Sequence, residues 1–294
     1  VVLHDFSGGF FQKRFDFFAA AETLDEAAYN NYPVWGGQRE PLEPARIAFN
    51  LDVARSLKGK NFIVTEQIMG AQGHDVIGYL PRPNQAKLWA MQAMAHGCDG
   101  LLFFRYRGFT KGAEQFCFGI LDADNEKRRR YEEVRAFFDD ANAQQALFES
   151  PVQSEACILA DYASEASLRI QRQSEALDYD EELYRYYRPL FRRGVNVDIL
   201  PSTRDFSRYK LVIVPCMMVM DSALKARLHA YAEHGGTLAF TFRTAWKDDE
   251  NNLCFGKQLP AELTQLVGAE VEEHESLYNG QSVPVRFPDG SHAG

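Results

Sequence analysis

The sequence predicts an α/β protein in two parts: four consecutive units of a (β/α)8 barrel, with an open doubly wound sheet as the alternative, and then a small flavodoxin-like open sheet. Three observations predict it. Short apolar runs alternate with helix-length segments through the first half. Each run ends in polar and aromatic residues, as parallel strands do where their loops converge on one mouth. After a polar break at residues 142–155, a strand–helix–strand–strand–helix–strand order restarts with short links.

The runs of the first half are Val1–His4, Ala27–Tyr32, Phe62–Glu66 and Gly100–Arg105. Each is largely apolar until its last residues, the pattern of a parallel strand buried on both faces. Their starts lie roughly one βα unit apart. Between them, Pro83–His96 places Leu88, Met91 and Ala95 on one face, with Pro83 suited to a first turn. Glu126–Ala141 is a charged helix with Tyr131, Val134, Phe137 and Phe138 as its apolar stripe. In the second half Ala156–Ala160 reads as a strand. Asp180–Arg193 is an amphipathic helix with Leu183, Tyr187, Leu190 and Phe191 on one side and a kink expected at Pro189. Val195–Leu200 and Leu211–Pro215 are strands, Ser222–His234 is a helix stopped by Gly235-Gly236, and Thr237–Phe242 is a further strand. Residues 243–294 are more polar and less regular, and Val283–Gly294 reads as the start of something cut short.

Composition narrows the function. The 294 residues are 46% hydrophobic, enough to bury a large core, which excludes disorder. The net charge of −9 is spread over both halves, so no basic domain is offered to nucleic acid or an anionic membrane. The longest apolar run, Leu211–Met220, is about half a membrane span, and no signal peptide is expected. The five cysteines are scattered and read as free thiols of a cytoplasmic protein, with neither a disulfide framework nor a metal site. No Walker, dinucleotide or zinc-protease motif occurs, and no cofactor is expected. Val1 stands inside an apolar run with no preceding Met, which points to a piece of a longer chain.

Glu66 stands out among the titratable residues. It follows Phe62-Ile63-Val64-Thr65, at the exit of a buried strand. A carboxylate there is costly to desolvate unless the rim is polar or the charge has a use. Retaining glycoside hydrolysis has such a use, since it needs one ionised carboxylate as nucleophile and a second, protonated one as acid. The competing reading is a rim carboxylate paired with Arg105 or Arg107. Asn30, Tyr32 and Trp35 offer an amide, a phenol and an indole on the same rim, a mixture that suits sugar rings and their hydroxyls. Glu114 is a further acceptor for hydroxyls or a solvated loop residue, and His74 lies in the loop after Glu66. Cys216 follows a strand as a nucleophile would, but its neighbours Met217-Met218-Val219-Met220 read as core.

Taken in series, these segments resemble the glycoside hydrolase family 42 β-galactosidases. The resemblance is carried by Asn30-Asn31-Tyr32-Pro33, Val64-Thr65-Glu66-Gln67, Arg82-Pro83-Asn84-Gln85 and Ala95-His96-Gly97-Cys98-Asp99-Gly100. It continues in Phe103-Phe104-Arg105-Tyr106-Arg107 and Gly112-Ala113-Glu114-Gln115-Phe116, then in Gly235-Gly236-Thr237-Leu238 and Phe242-Arg243-Thr244. It implies the second half of a (β/α)8 TIM barrel over residues 1–145 (strands 5–8) and a flavodoxin-like trimerisation domain over 153–294. It also implies a homotrimer acting on β-galactoside oligosaccharides, with double displacement at terminal β-D-galactose. On this alignment Glu66 is the nucleophile after strand 7. Tyr32, Asn30 and Trp35 lie near the sugar, and Glu114 matches the carboxylate that binds galactose hydroxyls. His74 stands where many members carry a sugar-contacting Trp, Cys117 where many have His, and Asp5 where an amide is expected. These departures bear on substrate preference more than on reaction class. Strands 1–4, with the acid/base, are expected upstream of Val1, so the 294 residues alone are expected to be inactive. A purely structural, non-catalytic fragment is the alternative.

Overall fold

The computed structural model describes residues 1–278, 280–287 and 289–293. The first half runs β1 (Leu3–Ser7), α1 (Phe17–Glu22), β2 (Glu26–Asn31), α2 (Pro44–Lys58), β3 (Phe62–Ile68), α3 (Gln85–Ala95), β4 (Cys98–Phe104), α4 (Arg129–Ala143) and the short α5 (Gln145–Phe148). Its four strands lie in sequence order, all parallel, as consecutive barrel strands do. The second half runs β5 (Ala156–Ala160), α6 (Tyr162–Ile170), α7 (Tyr179–Arg192), β6 (Val197–Pro201), β7 (Leu211–Val214), α8 (Ser222–Glu233), β8 (Thr237–Phe240) and the short α9 (Thr264–Val267). Its sheet is parallel with the order β6-β5-β7-β8, the flavodoxin-like arrangement. The protein is therefore α/β, a partial TIM barrel followed by an open-sheet domain.

The open sheet is covered on both faces, and β5 shows how. Ile158 joins the core shared with the first half, while its neighbours Cys157 and Leu159 face a second core with Val212, Val214 and Leu228. Asp161, Asp178 and Asp221 cap α6, α7 and α8, each accepting a backbone N–H of the first turn.

Helix α2 joins the two halves. It enters at Pro44 and ends at Gly59 in the left-handed conformation. Phe49, Leu51, Val53 and Leu57 are buried on several sides at once, because α2 packs on β2 and also against α7 and β6. A polar cluster crosses the same seam. Asp52 accepts from Arg55, from His96 Nδ1 at 2.8 Å and from the Tyr187 hydroxyl at 2.5 Å. Arg55 also reaches Asp198 Oδ1 at 2.8 Å and the Val197 carbonyl at 3.1 Å.

Several expected details differ. β1 begins at Leu3 and is mostly exposed rather than buried on both faces, because it is an edge strand of the four-stranded sheet. β4 is the other edge and is only half-buried. α3 buries Ala86, Trp89, Ala90 and Ala93, whereas Leu88 faces out. The bulky Trp89, not the Leu88–Met91–Ala95 stripe, chooses the inward face. Pro83 precedes the helix rather than opening it. Helices α1, α2 and α6 carry no sufficient sequence signal. In the last segment, β9 (Val285–Arg286) pairs antiparallel with β10 (His292–Ala293). Pro288 and Gly294, which the Val283–Gly294 reading includes, lie outside the described residues.

Candidate active site

A bulge aims Glu66. Along β2, Tyr29 pairs with Val64 but Asn30 pairs with Glu66. Along β4, Leu101 pairs with Val64 and Phe103 with Gln67. β3 therefore carries an extra residue at Thr65–Glu66 relative to both neighbours. Such bulges bend a strand and redirect the side chain at its end. Glu66 consequently leaves the buried pattern of Phe62 and Val64 and faces a cavity of about 690 Å3.

All six residues expected at the site line that one cavity: Asn30, Tyr32, Trp35, Glu66, His74 and Glu114. Tyr32, just past the end of β2, donates its hydroxyl to Glu66 Oε2 at 2.6 Å. Burial raises the Tyr32 phenol pKa, and the hydrogen bond to Glu66 and its negative charge raise it further, so the phenol remains a donor. Asn30 donates to Asp5 Oδ2 at 3.3 Å and accepts from the Thr65 hydroxyl at 3.2 Å, which fixes its amide beside Glu66. Trp35 stands edge-on to Tyr32, with ring centroids 5.0 Å apart, and to His74 at 5.4 Å. Glu114 lies in the loop after β4, its carboxylate held by Arg105. The expected alternative partner of Glu66 is thereby corrected: Arg105 is engaged by Glu114, and Arg107 reaches Asn125 Oδ1 at 3.5 Å.

The sequence reading missed part of the wall. Gln12, Arg46, Asn50 and Phe104 also line the cavity, as do Asp180 and Glu181 from the start of α7. Arg46 pairs with Asp180 at 2.8 Å and with Glu181. No local signal marks Asp180, since the packing of α7 against α2 brings it there. Cys216 is wholly buried, and burial pushes its thiol up to about 12, so the thiolate a nucleophile needs is disfavoured.

Chemically, the cavity offers a carboxylate in contact with a phenol, further carboxylates at Glu114, Asp180 and Glu181, and the aromatic rings of Tyr32, Trp35 and Phe104. This combination suits a polyhydroxylated ring.

Comparison with known proteins follows the same division. A glycoside hydrolase 42 model described as beta-galactosidase matches residues 1–143, and one described as beta-galactosidase trimerisation domain matches residues 154–293. The beta-galactosidase BgaA of Clostridium cellulovorans is 33% identical over 264 residues, covering 89% of this chain and 40% of the relative. Among solved structures, a catalytic mutant of Gan42B, a GH42 beta-galactosidase from G. stearothermophilus, superposes with a TM-score of 0.88 at 27% identity, over 99% of this chain and 43% of that one. The beta-galactosidase of the haloarchaeon Halorubrum lacusprofundi superposes with a TM-score of 0.83 at 30% identity, over 96% and 43%. The chain thus spans about two fifths of the length of the relatives it matches.

Proposed function

The chain belongs to glycoside hydrolase family 42, and from that premise we propose that the whole protein is a retaining β-galactosidase in which Glu66 is the nucleophile. The observation that carries the assignment is the bulge that turns Glu66 into the cavity against the Tyr32 hydroxyl. In the first step the Glu66 carboxylate attacks the anomeric carbon while the bond to the aglycone oxygen breaks and an acid protonates that oxygen. Water then attacks the galactosyl–enzyme ester, gives up a proton to the same residue acting as base, and frees galactose and Glu66. The acid must stand about 5–5.5 Å from the nucleophile. We assign it to a stretch of the whole protein outside these 294 residues. Tyr32 orients the nucleophile, Trp35 and His74 border the sugar, and Asn30 and Glu114 meet its hydroxyls.

In the same reading residues 1–145 are part of the catalytic barrel and 153–294 the domain through which three copies assemble. The family match of residues 154–293 supports this second role. The substrates are β-galactoside oligosaccharides. The free cysteines fit a reducing, cytoplasmic setting. No helix among the described residues is long and apolar enough to cross a membrane. The 294 residues alone are inactive in this proposal, because both edges of the four-stranded sheet are unpaired and a barrel needs closure.

Intact-mass analysis of the full-length protein with a slow fluorinated galactoside tests the nucleophile. One adduct is expected, and labelling that survives Glu66→Gln overturns the assignment. Turnover of a nitrophenyl galactoside by residues 1–294 alone, at full-length rates, would show that the rest is dispensable. Light scattering reports the number of copies.

A further inference from the structure

We propose that Arg105 is a positioning residue for sugar recognition, which it serves by holding Glu114 as an oriented acceptor. The inference rests on the reading of Glu114 as a hydroxyl-binding carboxylate.

Arg105 follows the last residue of β4, and its side chain is 9% exposed. Its guanidinium lies over two aromatic rings, 4.0 Å from the centroid of Phe104 and 3.5 Å from that of Phe109. Nη2 donates to Glu114 Oε2. Nε and Nη1 are buried and have no hydrogen-bond partner among the described residues. Two buried guanidinium nitrogens without an acceptor are an expensive arrangement for structure alone. The planar, delocalised guanidinium tolerates it because two ring π-systems lie against it.

Position separates the two roles. Glu114 lines the cavity and Arg105 does not. Nε and Nη1 are buried and Nη2 is engaged by Glu114, so Arg105 acts through Glu114. It occupies Oε2, and among the described residues no side-chain donor takes Oε1, which is left for a ligand. The pairing with the guanidinium fixes the direction of the Glu114 carboxylate, which presents Oε1 as a hydrogen-bond acceptor. A hydroxyl meets that requirement, whereas an ether oxygen does not.

The loop bearing Glu114 is closed onto the same arginine. Ile120 N–H donates to the Arg105 carbonyl at 2.7 Å, and a side chain on Gly119 would overlap that carbonyl. Phe118 N–H donates to the Ala71 carbonyl at 3.0 Å, which fastens the loop to the segment after β3. One backbone strand end thus sets both ends of the recognition unit: the guanidinium that holds the carboxylate and the loop that carries it.

The test compares Arg105→Gln, Glu114→Gln and the double variant in the full-length protein, with nitrophenyl β-galactoside and its monodeoxy analogues as substrates. Arg105→Gln should raise KM by ~10- to 100-fold with kcat largely kept, the pattern of lost uniform binding through a charged hydrogen bond. Arg105→Lys should recover only part of this, since it restores the cation without the planar ring contact. The effect should shrink on the one deoxy analogue that also abolishes the effect of Glu114→Gln, and the double variant should be no worse than Glu114→Gln. An unchanged KM, full additivity of the two changes, or an equal loss on every deoxy analogue overturns the proposal. If Arg105→Gln does not fold, the Arg105→Lys comparison decides by the same criteria. Failure of the underlying nucleophile reading is separate, because it shows as labelling that survives Glu66→Gln.

Discussion

The Tyr32 hydroxyl donates to Glu66 Oε2 at 2.6 Å, across the mouths of two adjacent parallel strands. Because burial and the neighbouring carboxylate raise the phenol's pKa, this donor persists through neutral and mildly alkaline pH. On the proposed assignment it fixes which Glu66 oxygen is free to attack. Tyr32→Phe removes the bond and leaves the ring packed against Trp35 and Phe104. A hydrogen bond to a charged group is worth about 1.5–3 kcal/mol, so kcat/KM should fall by ~10- to 100-fold. Steady-state kinetics on a nitrophenyl galactoside checks this, and a loss of less than about twofold would remove Tyr32 from the nucleophile's support.

The aromatic border depends on two loops that touch through glycine. A side chain on Gly36 would overlap the Val76 carbonyl oxygen and the Cα of Gly73, so the Trp35 loop and the His74 loop pack backbone to backbone. That contact sets the 5.4 Å spacing of the Trp35 and His74 rings. Gly36→Ala should push the loops apart and raise KM by about tenfold or more, while the unfolding midpoint moves little because both loops lie at the rim. Unchanged galactoside KM in a folded Gly36→Ala protein would refute the coupling.

The sequence revealed the strands and the site for one reason and hid α2 and the bulge for another. Residues such as Glu66, Asn30 and Tyr32 are legible because a polar group directly after an apolar run breaks a local pattern. The bulge at Thr65–Glu66 is a matter of register with two other strands, and no local signal encodes it. α2 is hidden because it is apolar on several faces, so the one-sided periodicity that marks a surface helix is absent. Asp180 and Arg46 were missed in the cavity wall for the related reason that only the docking of the two halves brings them there.

That docking has a polar centre in Arg55. It pairs with Asp52 of its own helix and with Asp198 across the seam, and is almost wholly buried. Replacing one partner of a buried ion pair leaves the others uncompensated, at a cost of about 3–5 kcal/mol. Arg55→Ala should therefore lower stability by that amount and expose the seam to proteolysis. Urea unfolding measures it, and a loss below about 1 kcal/mol would mean that apolar packing by α2 holds the halves together unaided.

Asp180 gives the seam a pH dependence of definite sign. Burial raises its carboxyl to about 6, from an ordinary value of 3.8, even though Arg46 lies 2.8 Å away and opposes the shift. A carboxyl whose folded value is raised binds its proton more tightly in the folded state. Its contribution to stability is full below about pH 4 and is lost as pH rises through about 6. Asp180→Asn keeps the shape and removes the titration, so the variant should lack that component of the decline between pH 4 and 6. Urea midpoints measured across this range for both proteins decide the matter. Parallel pH profiles would show that Asp180 titrates alike in the folded and unfolded chains, and the cavity wall would then carry a full negative charge beside Glu181 throughout the neutral range.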